Sequence, residues 1–103
     1  MPKLATYVEQ VRSKNAGPFW LTVDIFCKDD ASFQALAAGL DTKEVAKRLQ
    51  LAEDQIKRFD IGDLAVIKIS FPRPQIQGTV QDRDMHGAAM AVLVKELLEN
   101  LES

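Results

Sequence analysis

Cysteine, histidine, tryptophan and tyrosine occur once each in this 103-residue sequence. A lone cysteine, Cys27, forms no internal disulfide, so nothing in the sequence asks for an oxidising compartment. A lone histidine, His86, with scattered carboxylates falls short of the ligand set that a zinc-type centre needs, and neither a metal nor a cofactor is expected. No apolar run approaches the ~20 residues of a membrane span. Met1-Pro2-Lys3-Leu4 leads into no apolar run with a cleavage site, so no signal peptide is expected and the expected address is cytoplasmic. Excess positive charge is missing as well. Thirteen Lys and Arg stand against fifteen Asp and Glu, a net charge of −2, which argues against a nucleic-acid partner, since such partners require a broad basic face.

With 47% hydrophobic and 27% charged residues, the chain reads as one globular domain over residues 1–103. A domain of this size buries a thin core and can leave apolar faces for a partner to cover. Leu4, Tyr7, Val8 and Val11 fall at i, i+3, i+4 and i+7, which predicts a first helix to about Lys14. Asn15, Gly17 and Pro18 then read as helix stops. Residues 19–27 alternate: Leu21, Val23, Ile25 and Cys27 share one face of a strand, and Trp20, Thr22, Asp24 and Phe26 the other. Asp29-Asp30 offers the N-cap of a helix carrying Phe33, Leu36, Ala37 and Leu40, and Asp41 with Glu44 opens another through Leu49. Phe59-Asp60-Ile61 and residues 64–71 predict two further strands, the second ended by Pro72-Arg73-Pro74. Residues 73–84 read as a loop. Met90, Leu93, Val94, Leu97, Leu98 and Leu101 predict a long closing helix from about Asp84. The pattern implies an α+β domain with helices on one face of a small mixed sheet.

Three groups of residues have the chemistry for a site. In the Arg12–Pro18 turn, the Gly17 backbone, the Ser13 hydroxyl, Asn15 and the cations Arg12 and Lys14 can hold a carboxylate or phosphate; the plainer reading is a helix C-cap, with the cations set against the dipole. Asp24 and Lys68 lie within strands, beside Thr22 and Ser70, and pair across the sheet if those strands are neighbours. A lysine shielded by a second chain can act as a base or anion anchor; on an open sheet the pair is a weak surface ion pair. His86, near Asp82, Arg83 and Asp84, can serve acid–base chemistry or simply follow an Asp84 N-cap. Cys27 reads as a buried structural thiol. Residues 43 to 58 imitate a helix-turn-helix, but Glu53-Asp54 would lead the second helix into a phosphate groove with the wrong sign, so DNA binding is the weakest reading.

Three blocks, Arg12-Ser13-Lys14-Asn15-Ala16-Gly17-Pro18-Phe19-Trp20-Leu21-Thr22-Val23-Asp24, Ala65-Val66-Ile67-Lys68-Ile69-Ser70-Phe71-Pro72-Arg73 and Asp82-Arg83-Asp84-Met85-His86-Gly87-Ala88, together resemble a small uncharacterised family, a domain of unknown function found in bacteria and fungi. The resemblance covers nearly the whole chain. Such domains are encoded beside AtuA-like proteins, named for acyclic terpene utilisation. The chain is also similar to the C-terminal ferredoxin-like domain of AtuA proteins, where an Arg-Ser-Gly-Asp-Lys-Gly turn stands in place of residues 12–17. The resemblance implies a ferredoxin-like fold and an accessory or small subunit of an AtuA-like assembly, with an inter-chain site for a small carboxylate or acyl-thioester. A homo-oligomer is the other partnership expected. On that reading Arg12, Ser13, Lys14, Asn15, Gly17, Ser70, Arg73 and Arg83 are substrate-binding candidates, and His86, Lys68 and Asp24 catalytic ones. Where the family pattern has glutamines after His-Gly-Ala, this chain has Ala89 and Met90. The alternative is a stand-alone small enzyme using His86 and Lys68.

Overall fold

A computed structural model describes residues 3–17, 19–72 and 82–101, with the backbone alone for 82–90. Strands β1 (Val8–Asn15), β2 (Trp20–Cys27), β3 (Lys57–Ile61) and β4 (Val66–Pro72) form one sheet. Its order is β1-β2-β4-β3 and every neighbouring pair is antiparallel. Helices α1 (Asp30–Gly39), α2 (Thr42–Leu49) and α3 (Asp82–Asn100) complete the domain. The α+β architecture is the expected one, but the sheet is antiparallel between neighbours rather than mixed. Strands β2 and β3 run parallel with β4 inserted between them, a split βαβ unit. In the ferredoxin-like chain order the strand beside β2 would come last; here it is β1, the first.

Alternation along the central strands sets the core. Leu21, Val23 and Ile25 of β2 and Ile67, Ile69 and Phe71 of β4 are almost fully buried. They pack with Phe33 and Leu36 of α1, Val45 and Leu49 of α2, and Val94, Leu97 and Leu98 of α3. Leu4 joins this core, and its N–H donates to the Leu101 carbonyl at 2.8 Å, tying the first turn to the end of α3.

The predicted first helix is not there. A 3₁₀ turn covers Leu4–Tyr7, and β1 follows at once. The register shifts between Val8 and Gln10: Val8 stands opposite Cys27 and Val11 opposite Ile25. The extra residue in this β-bulge places Val8 and Val11 on the same side of the sheet three residues apart, which imitates a helical repeat. The stripe of apolar residues was therefore real, and its period was misleading. Because β1 is a strand, the Arg12–Pro18 segment is the second half of β1 and the hairpin turn into β2. The helix C-cap reading of Arg12 and Lys14 falls with the helix. Gly17 sits in this turn at φ +87°, a conformation open to glycine at no steric cost.

Other local expectations hold with small adjustments. Asp29 caps α1, its Oδ1 accepting from the Ser32 N–H at 2.7 Å, and Asp41 caps α2 by accepting from the Lys43 N–H at 2.9 Å. The long last helix starts at Asp82, so Asp84 lies inside it rather than at its cap. In residues 43 to 58, α2 is followed by a three-residue 3₁₀ turn, Glu53–Gln55, and then by β3. No second helix stands where a recognition helix would be needed.

Arg58 of β3 supports the helix layer. Its guanidinium donates to the carbonyls of Ala37 and Leu40, at the end of α1, and to the Thr42 hydroxyl at the start of α2. A bidentate contact with Asp60, at 2.8 and 3.3 Å, fixes its orientation. The last carbonyls of α1 have no partner within the helix, so Arg58 satisfies groups that burial would otherwise strand. Arg58→Ala is expected to lower unfolding stability by about 2 kcal/mol in urea titrations, without changing the secondary-structure content.

The Asp29 carboxyl is held below its usual range, first by the Ser32 backbone N–H and then by the Ser32 side chain. Since the folded pKa is lowered, the cap's charged contribution is complete above the unfolded pKa and fades as pH falls through the folded one. Asparagine caps without titrating. The stability difference between wild type and Asp29→Asn is therefore expected to shift in favour of the variant on acidification below pH 4, read from paired urea midpoints.

Candidate functional site

All three helices pack on one side of the sheet. On the other side, no described element covers the strands. Pairing puts Arg12 opposite Asp24 and Lys14 opposite Thr22, then Asp24 opposite Lys68 and Thr22 opposite Ser70, and finally Lys68 opposite Phe59 and Ser70 opposite Lys57. These residues, with Trp20 and Phe26, share the uncovered face because all alternate with core positions. Four cations, Arg12, Lys14, Lys57 and Lys68, thus share this face with the carboxylate Asp24, which Arg12 and Lys68 flank in register.

Contacts on this face are specific. The Thr22 and Ser70 hydroxyls lie 3.2 Å apart across β2 and β4, in a part-buried hydrogen bond. Lys57 Nζ stands 4.9 Å from the centroid of the Trp20 ring, a cation–π contact across the sheet. Phe59 remains half exposed. Asp24 has only 13% of its side chain exposed, and its Oδ2 lies 4.0 Å from Lys14 Nζ. Its Oδ1 is buried and has no hydrogen-bond partner among the described residues. The cross-strand neighbours Asp24 and Lys68 are the ones expected from the sequence, yet the carboxylate's ion pair is with Lys14 on the opposite flank. Between β1 and β2 lies a pocket of about 190 Å³ lined by Arg12, Ser13, Lys14, Asp24 and Phe26.

The candidate residues divide accordingly. Arg12, Lys14, Asp24, Lys68 and Ser70 meet on the open face. Ser13 and Asn15 stand at register positions opposite Val23 and Leu21, on the helix side of β1, although Ser13 still borders the pocket. Gly17 shapes the hairpin tip. Arg83 and His86 are backbone positions in α3 whose side chains lie outside the described residues, as do those of Ala89 and Met90, and Arg73 lies outside them altogether. The sequence places Phe59 in a short strand without naming it as a site residue, and leaves Lys57 and Arg58 in the stretch that imitates a helix-turn-helix. The signal was the alternation of Lys57, Phe59 and Ile61 against Arg58 and Asp60.

A family model described as Domain of unknown function (DUF4387) matches residues 4–97. The chain belongs to the DUF4387 family. Neither a curated protein nor a solved structure matches it. The matched span takes in all four strands and most of α3, so the entire open face lies within the DUF4387 domain.

Cys27 is not part of this face. It ends β2 on the core side and is 6% exposed. Burial pushes its thiol up to about 11, with a smaller contribution from the Asp29 charge. The nucleophilic thiolate is accordingly scarce near neutrality. Iodoacetamide is expected to leave native Cys27 unmodified at pH 7.5 and to label it promptly in denaturant, as followed by intact mass.

Proposed function

We propose that this DUF4387 domain is an accessory subunit whose open sheet face docks onto a larger AtuA-like chain and contributes one wall of a site for a small carboxylate or acyl-thioester. The observation that carries the reading is the face itself: a four-stranded sheet with helices on one side, and aromatics, four cations and a partly buried carboxylate on the other. An antiparallel sheet tolerates one solvated face, and such faces are usually plainly polar. Here Trp20, Phe26 and Phe59 share the face with Arg12, and aromatic residues and arginine are the types enriched at protein interfaces. The resemblance to the C-terminal domain of AtuA proteins supplies the partner.

The sign of the charge narrows how the face is used. Two copies meeting through this surface would bring like charges together, which costs several kcal/mol in an interface, so any homo-oligomer uses another surface. An acidic partner surface or an anionic ligand compensates the face. Arg12 is suited to a carboxylate in fork geometry, while Lys14 and Lys68 act as point charges.

Co-expression with the adjacent AtuA-like chain is expected to yield a stable complex by size-exclusion chromatography with light scattering. Lys68→Glu and Phe59→Ala each reduce complex formation at least tenfold while the isolated subunit keeps its circular dichroism spectrum. A subunit that stays monomeric beside the AtuA-like chain, or a complex indifferent to both changes, overturns the reading.

A further inference from the structure

The carboxylate at the centre of a cationic surface sets a requirement on the ligand. Among the described residues Asp24 Oδ1 is buried and has no hydrogen-bond partner, while Oδ2 lies 4.0 Å from the exposed Lys14. A buried acceptor without a donor is costly, and native proteins rarely retain one without a use for it. Asp24 also lines the pocket it shares with Arg12, Lys14 and Phe26. Arg12 and Lys14 are exposed side chains whose χ angles can turn toward a ligand in this pocket. A simple carboxylic acid bound between these cations would leave Oδ1 unsatisfied and would meet Asp24 as a like charge. A ligand carrying a hydrogen-bond donor beside its carboxylate satisfies Oδ1 and sets its own charge farther from Asp24, among the cations.

We infer that the Arg12–Lys14–Asp24 pocket takes a hydroxy-carboxylate, the carboxylate held by Arg12 and Lys14 and the hydroxyl donating to Asp24 Oδ1. The proposal rests on the carboxylate reading above and sharpens it to one substrate class. An amino-carboxylate offers a donor too, but its ammonium would enter a surface with four cations and a single carboxylate, and the neutral hydroxyl avoids that repulsion. Phe26 supplies an apolar wall for a short carbon chain. A site built to receive a hydroxyl discriminates strongly against the analogue that lacks it, because the unpaired acceptor is then buried beneath the wrong ligand.

The pocket is formed by β1 and β2 of this chain alone, so the isolated subunit serves for the test. In nitrogen-15 NMR titrations, 3-hydroxybutyrate is expected to shift the amides of Arg12, Lys14, Asp24 and Phe26 and to bind roughly tenfold or more tightly than butyrate. 3-Aminobutyrate binds no better than butyrate. Asp24→Ala removes the difference between 3-hydroxybutyrate and butyrate while both still bind, and Arg12→Ala weakens both. Equal binding of the two acids by the wild type, shifts confined to other residues, or discrimination that survives Asp24→Ala overturns the proposal. Docking to the AtuA-like chain is scored separately by co-purification, so loss of one result leaves the other standing.

Discussion

The antiparallel pairing of β2 with β4 is the constraint on which the rest of the structure depends. Core-facing and open-face positions alternate along each strand, and their register places Leu21, Val23 and Ile25 opposite Phe71, Ile69 and Ile67. A slip of one residue would turn every one of these side chains to the other surface, so the buried face locks the register. The same lock sets the opposite face without further specification. Thr22 meets Ser70 and Asp24 meets Lys68 because the core residues between them are already in place. The polar face is thus a consequence of core packing as well as a candidate site, and its geometry is as firmly held as the core.

This explains what could be read from the sequence. Strands β2 and β4 were legible because their period of two is undisturbed, and from them followed the two-faced sheet and the Asp24–Lys68 pairing. Strand β1 was not, since its bulge between Val8 and Gln10 changes the spacing of core residues from two to three. Helical and bulged-strand spacings coincide over so short a stretch, and only pairing with Ile25 and Cys27 decides between them. Arg58 was illegible for a different reason. Its partners are main-chain carbonyls on α1 and a hydroxyl on α2, about twenty residues away, and no side-chain pattern announces a carbonyl in need of a donor. The candidate site was half legible: its β2 and β4 residues were named, its β1 cations were named for the wrong structural reason, and its β3 residues were missed.

The correction at β1 strengthens the site. Had residues 4–14 been a helix, Arg12 and Lys14 would have capped its C-terminal dipole, and the hairpin cations would have had a complete structural explanation. As strand residues they lose that explanation. Gln10, Arg12 and Lys14 occupy alternate positions on an edge strand, and positive charge there also discourages strand-to-strand aggregation. That role accounts for charge on the edge. It does not account for Lys68, which lies on a central strand.

The deciding group is therefore Asp24 rather than any of the cations. Surface lysines are inexpensive, and a surplus of them on one face costs the fold little. A mostly buried carboxylate with one oxygen lacking a donor has no such excuse, since a non-polar residue of similar size at a β2 position would pack without that penalty. Lys14 at 4.0 Å is too distant and too exposed to offset it. The Thr22–Ser70 pair next to it shows that the same two strands can satisfy buried polar groups fully when no outside donor is involved. Asp24 sits one step along β2 from that satisfied pair, flanked by cations on both neighbouring strands, and is left with an open acceptor. Among the described residues that acceptor stays open, and it is the one group on the face whose geometry asks for a donor from outside the two strands.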